Sequence, residues 1–190
     1  MKKIPTLFER VYENHKVVGI NPCVTEGMSW VLDGEGTATL KRDGSCCAII
    51  NGEFYKRYDA KKGKKAPPGA IPCCEADAIT GHHPHWVKVD PNNPADRWLM
   101  AAYNNTKPDV DWTYEAVGEH FQGNPYNLPG DYLAPHGLEI LEVERTFEGI
   151  RKYLEENYIE GIVFWKDGVP MCKIKRSDFG FEWNKKEKEK

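Results

Sequence analysis

The sequence predicts an α+β fold, antiparallel sheets flanked by helices, and three observations carry this. Two dipeptides, Asn51-Gly52 and Asp167-Gly168, each sit between apolar or alternating runs, the pattern of a two-residue hairpin turn with positive φ at its central positions. One segment, "TFEGIRKYLEENY", spaces Phe147, Ile150, Leu154 and Tyr158 close to helical periodicity. Strands and helices do not alternate regularly, so a parallel βαβ series is not expected.

Taken in order, residues 29 to 59 read as strands, first "SWVL" and then the hairpin "TLKRDGSCCAIINGEFYKRYD". Residues 60 to 72, "AKKGKKAPPGAIP", are too polar and too broken by Gly and Pro for an element. "HWVKVD" is a short strand closed by Pro91, and "PADRWLMAAY" a short helix with Pro94 in its first turn. "DWTYEAVGE" alternates as a strand, and residues 122 to 137 form a Gly- and Pro-rich loop. "LEILEVE" reads as a strand before the helix that Thr146 would cap. "GIVFW" and "MCKIK" are strands joined at "KDGVP", and "NKKEKEK" is a solvated, disordered charged tail near 184 to 190.

With 190 residues, 40% hydrophobic and 29% charged, the chain is expected to form one domain, 1 to 190, with a core that needs no disulfide staples. A net charge of -3 excludes a basic clamp on long duplex, so any nucleic-acid contact has to come from a local basic groove. No leader-like or membrane-spanning apolar run occurs, and none of the six cysteines forms a C-x-x-C pair. The cysteines are expected reduced, in a cytoplasmic or nuclear compartment rather than a secreted protein.

A lysine that does covalent work must lose its proton, and at pH 7 only about one in a thousand ordinary lysines has done so. Desolvation or neighbouring cations favour the neutral amine, so such a lysine belongs at the edge of an apolar wall beside other positive groups. Lys41 precedes the apolar run 46 to 50. In "MCKIKR", strand parity turns Lys173 and Lys175 to one face and Cys172 and Ile174 to the core. Alone, K-x-D-G is weak, with a chance match in a chain of this length on the order of a few per cent. Its weight comes from three motifs later in the chain: "YEAVG" with Glu115, then "EGIVFW" with Glu160, then "KIK" at 173 to 175.

K-x-D-G, an E-x-x-G strand, E-G-[IV]-V and K-x-K in this order resemble the nucleotidyltransferase motifs of ATP-dependent RNA and DNA ligases and mRNA capping enzymes. The likeness runs over residues 30 to 180. "IPCCEADAITGHHPHWVKV", "GNPY" and "APHG" resemble more narrowly a compact family of 5′-to-3′ RNA ligases that lacks an appended oligonucleotide-binding barrel.

The resemblance implies an ATP-grasp-like nucleotidyltransferase domain, working as a monomer on RNA with 5′-phosphate and 3′-hydroxyl ends, with ATP and Mg²⁺ or Mn²⁺ as cofactors and no membrane partner. Lys41 would carry AMP. Lys173 and Lys175 would hold the α-phosphate and depress the pKa of Lys41, against the alternative of an amphipathic edge strand. Glu160 would hold a hydrated metal ion, or is simply a charged strand terminus. Glu115 would support the ribose or a metal-bound water, or is an outward polar residue. Asp43 would orient Lys41 or a metal-bound water, or form a turn with Gly44. Arg57 would contact ribose or phosphates, although strict alternation gives it the face of Cys46 rather than Ser45 unless Gly44 breaks the parity.

Tyr132 and His136 are candidates for stacking on adenine. His82, His83 and His85 could line a groove or bind a metal, with a polar loop the favoured alternative. "KKGKK" (61 to 65) reads as a phosphate-contacting patch, against the alternative of a solvated charge run. Shortly after K-x-K the chain reaches "FEWNKKEKEK", so no barrel is expected. The rivals are a capping guanylyltransferase or DNA ligase core, and a non-catalytic RNA- or nucleotide-binding module on the same scaffold.

Overall fold

The structure, a computed structural model, describes residues 3–14, 16–61, 63–77 and 81–184. The chain divides into two compact units. The split unit comprises Ile4–Arg42 and Gly137–Lys190, and the middle unit is built mainly from Asp43–His136. In the split unit lie β1 (Phe8–Glu13), β2 (Lys16–Val24) and β3 (Thr37–Lys41). The middle unit holds β4 (Ser45–Ile50), β5 (Glu53–Ala60), β6 (Ile71–Pro72), β7 (His83–Lys88), α1 (Arg97–Thr106), β8 (Thr113–Gly118) and β9 (Asp131–Pro135). The chain then returns to the split unit for α2 (Phe147–Glu156), β10 (Gly161–Lys166) and β11 (Val169–Lys175). Every pairing between these strands is antiparallel, and the described residues contain two α-helices, so the α+β class stands.

In the middle unit six strands run in the order β6-β7-β5-β4-β8-β9. The β4–β5 hairpin turns at Asn51 (φ 52°) and Gly52 (φ 73°), as their chemistry predicts. Both turn amides donate to one carboxylate, Asn51 N to Asp111 Oδ2 at 2.5 Å and Gly52 N to Oδ1 at 2.9 Å. Cys47, Ile49, Phe54, Tyr114, Ala116 and Leu133 form a buried face, on which Leu99, Met100 and Tyr103 of α1 pack.

In the split unit β10 is the central strand of the sheet β11-β10-β3. Its hairpin to β11 turns at Asp167 (φ 51°) and Gly168 (φ 73°). The core face gathers Ala38, Ile162, Phe164, Cys172 and Ile174, and α2 lays Ile150 and Leu154 into the same cluster with Leu7 and Phe8. Thr146 caps α2, its Oγ1 accepting from Gly149 N at 3.0 Å.

Several elements depart from the sequence expectation. Ser29–Val31 is a 3-10 turn, not a strand, and it drops Trp30 and Val31 into the core. Residues 138 to 144 are no strand: Leu138 and Ile140 alternate correctly, but they are 68% and 63% exposed, and the segment meets β3 at a single bridge, Thr39 to Ile140. Conversely, Asp131–Pro135 pairs fully with β8 although its flanks are turn-forming. Long-range pairing overrides local composition there. β1 and β2 are mostly exposed hairpin strands without an alternating apolar signal. His83 and His85 lie in β7 rather than in a polar loop, and His85 is buried. The tail beyond Asn184 lies outside the described residues.

Candidate functional site: a lysine–glutamate cluster on the split-unit sheet

Register assembles the cluster. Across β3, β10 and β11, Lys41, Gly161 and Lys175 stand in one row. Two positions further along each strand, Thr39, Val163 and Lys173 form the next. Side chains two apart on a strand share a face, so Lys41, Lys173 and Lys175 all rise from the face opposite the core.

Gly161 holds the centre of the first row because nothing larger fits. A Cβ there would run into the carbonyl of Ile174 and lie 2.9 Å from Lys175 Cα. Directly before it comes Glu160, 6% exposed, with its carbonyl fixed by Arg176 N at 2.9 Å. Its carboxylate reaches both flanking lysines: Lys41 Nζ donates to Oε2 at 2.6 Å, and Lys175 Nζ lies 3.9 Å from Oε1. A carboxylate so buried is tolerable only because cations pair with it.

Lys173 is half-buried and lies one row inward. Burial, and then the charges of Lys41 and Lys175, lower its ammonium from 10.5 to about 8, with Glu160 opposing and Arg10 adding slightly. Behind the lysines, Asp178 is buried and doubly engaged: Lys175 N donates to its Oδ2 at 2.8 Å and Arg10 Nη2 to its Oδ1 at 3.2 Å. The sequence reading missed both Arg10 and Asp178. Asp178 had a signal, since it stands three residues after Lys175 and returns to cap the 3-10 turn Arg176–Phe179. Arg10, in a polar strand, had none.

Asp43, Gly44, Arg57 and Glu115 belong to the middle unit. Cys46 pairs with Glu115, and continuing the β4–β5 register past Cys47–Lys56 sets Arg57 opposite Cys46 as well. Burial and then Glu115 push the Cys46 thiol up to about 12, while Arg57 pulls it down. Glu115, Cys46 and Arg57 therefore share the sheet face away from α1. Here the parity that counted against Arg57 unites it with Glu115. Glu115 Oε2 is held by His136 Nε2 at 2.9 Å, and His136 Nδ1 meets Thr113 Oγ1 at 3.0 Å. At Gly44 a Cβ would strike the carbonyl of Ala116 and lie 2.9 Å from Glu115 Cγ, so only glycine lets the chain pass this close. Asp43 N donates to Tyr126 Oη at 2.5 Å.

The remaining candidates are more scattered. Tyr132 is exposed on β9, whereas the ring of His136 is engaged by Glu115 and Thr113. His82 Nδ1 lies 2.9 Å from Asp59 Oδ2, and His83 Nε2 lies 2.7 Å from the Cys74 carbonyl. Among the described residues no three His, Cys, Asp or Glu side chains converge as a metal-holding group, and no helix is long and apolar enough to cross a membrane. Of the "KKGKK" patch, Lys62 lies outside the described residues.

A lysine amine at a strand end, bonded to a buried glutamate and flanked by two more lysines, is an arrangement that can neutralise a polyanion and offers a potential nucleophile. The chain is similar to proteins named RNA ligase 1. With that of Rattus norvegicus it shares 26% identity, covering 77% of this chain and 68% of the relative. With that of Pongo abelii the identity is 28%, over 63% of this chain and 50% of the relative. With that of Danio rerio it is 27%, over 54% and 42%. The chain thus spans between about two fifths and two thirds of the length of these relatives. No protein-family model matches.

Proposed function

We propose that the chain is an ATP-dependent RNA ligase with a nucleotidyltransferase domain, in which Lys41 becomes a lysyl-AMP. The observation that carries this is the convergence of Lys41, Lys173 and Lys175 on one sheet face with Glu160 between two of them, one lysine coming from β3 and the rest from the β10–β11 hairpin, with Lys41 and Glu160 119 residues apart. The likeness to proteins named RNA ligase 1 supports RNA as the substrate.

In the first step the neutral Lys41 amine attacks the α-phosphorus of ATP. The Nζ–P bond forms, the bond to the bridging oxygen breaks with its electron pair leaving on pyrophosphate, and the amine proton passes to solvent. Next, an RNA 5′-phosphate oxygen attacks the same phosphorus and frees the lysine. Finally the RNA 3′-hydroxyl attacks the activated 5′-phosphate, AMP departs, and a 3′-5′ phosphodiester remains. Each step is substitution at phosphorus, so the protein's work is alignment and charge neutralisation.

Lys173 and Lys175 would neutralise phosphate oxygens. Glu160 would keep Lys41 placed at the end of β3. Glu160, as a carboxylate at the cluster, would hold a divalent ion, which would supply further charge neutralisation.

Incubation with α-labelled ATP and Mg²⁺ or Mn²⁺, followed by denaturing electrophoresis and intact mass, tests the reading. The expected result is one covalent AMP, absent in Lys41→Ala. Labelling by GTP instead would point to capping, sealing of nicked DNA alone to a DNA ligase, and no adduct with any nucleotide to a binding module.

A further inference from the structure

Arg10 takes no part in the motif order, yet it stands at the edge of the same cluster. It is anchored there by its own segment. Leu7 N donates to the Lys173 carbonyl at 2.7 Å, Lys173 N to the Pro5 carbonyl at 3.0 Å, and Thr6 pairs with Lys173 in parallel. The next two side chains, Leu7 and Phe8, are fully buried in the core, which fixes where Arg10 emerges two residues on. One end of its guanidinium is tied down by Asp178, and its Nε is buried and has no hydrogen-bond partner. A buried, unpartnered guanidinium donor is costly, and an anion would satisfy it.

Charge points the same way. Four cations (Arg10, Lys41, Lys173, Lys175) face two carboxylates (Glu160, Asp178), so the cluster carries an excess of positive charge with every group ionised. Strand order supplies direction. From Lys41 outward come β3, β10, β11 and then the Pro5–Leu7 segment. At about 4.8 Å per strand, the Lys173 strand lies roughly 10 Å from the Lys41 strand, and the Arg10 edge lies beyond it. In an in-line displacement the leaving group departs on the side opposite the attacking amine. An attack by Lys41 directed across the sheet would send it toward this edge.

We propose that Arg10 is a ligand of the pyrophosphate leaving group, its guanidinium donating to the β- and γ-phosphate oxygens of ATP while Asp178 holds it by Nη2. The inference rests on the lysyl-AMP reading and adds to it which end of the sheet the triphosphate occupies. Arg10 then acts in adenylation and in its reversal, where pyrophosphate attacks lysyl-AMP, the N–P bond breaks and ATP re-forms. It has no part in the later transfer of AMP to RNA, when pyrophosphate has gone.

The full chain and its Arg10→Ala, Arg10→Gln and Arg10→Lys variants separate these steps. Losing a charge-assisted contact should raise the ATP needed for lysyl-AMP formation, and the inorganic pyrophosphate needed to strip preformed lysyl-AMP, by roughly 10- to 100-fold in the Ala and Gln variants. Lysine should recover part of the loss. AMP transfer from preloaded protein to 5′-phosphorylated RNA should stay near the wild-type rate. Thermal melts identify any variant that fails to fold, and the Lys and Gln variants, which keep a long side chain and a donor for Asp178, then decide. Unchanged pyrophosphate and ATP dependence overturns the inference alone. A defect confined to AMP transfer also overturns it, since Arg10 would then serve the RNA phosphate. No lysyl-AMP in the wild-type protein removes both the inference and the ligase reading.

Discussion

The chemistry of Lys173 depends on its surroundings. In the unfolded chain it keeps its ordinary value, whereas in the fold burial and two neighbouring ammonium groups lower it to about 8. Below pH 8 both states carry the proton, and the cost of burying that charge is fully present. Between about pH 8 and 10.5 the folded protein binds fewer protons than the unfolded chain, so the Lys173 contribution makes stability rise with pH. Lys173→Met should therefore be more stable than wild type near neutrality, by on the order of a few kcal/mol, with the advantage shrinking as pH rises toward 10. Urea midpoints of the two proteins from pH 7 to 10 check this, and a constant gap would rule out charge burial as the cause. The cluster itself was half legible: K-x-D-G, E-G-I-V and K-x-K singled out Lys41, Glu160, Lys173 and Lys175. Arg10 was invisible because an arginine in a polar strand has no neighbour in sequence that marks it.

At the scale of the element, the hairpins at Asn51-Gly52 and Asp167-Gly168 were legible because turn geometry is local and needs φ values that few residue types accept. The helix α2 was legible for the same reason, with its cap and its apolar stripe both in one window. Gly161 is a different kind of glycine. Its φ is unremarkable, and what excludes a side chain is the backbone of β11. Gly161→Ala should force β10 and β11 apart at the row holding Lys41 and Lys175, costing about 1–3 kcal/mol as overpacking does. A lowered melting temperature together with reduced AMP adduct is expected, and an adduct yield equal to wild type at full occupancy of the folded state would detach the row from the chemistry. The strand β9 and the non-strand 138 to 144 were misread for one reason: pairing partners, not composition, decide whether an extended segment becomes a strand.

For the whole molecule, two hydrophobic clusters serve two units, and the boundary falls between Arg42 and Asp43, inside the K-x-D-G motif. All six cysteines are free. Burial pushes the thiols of Cys46 and Cys172 up to about 12 and that of Cys47 well up, while Cys23 is exposed. Alkylation of the native protein near pH 7.5 should label Cys23 first and reach Cys46, Cys47 and Cys172 only after denaturation. Peptide mass mapping reads this directly, and early modification of Cys172 would mean that the split-unit core opens in the native state.

By itself the sequence determined the turns, the capped helix and the ordered residue types that make phosphate chemistry on a lysine the natural reading, because those signals reside in short windows. Only the tertiary structure decided that Glu160 grips Lys41, that burial lowers the ammonium of Lys173, and that Arg10 joins them. Those facts depend on strand register and on what packs behind each strand, which no window of neighbouring residues contains.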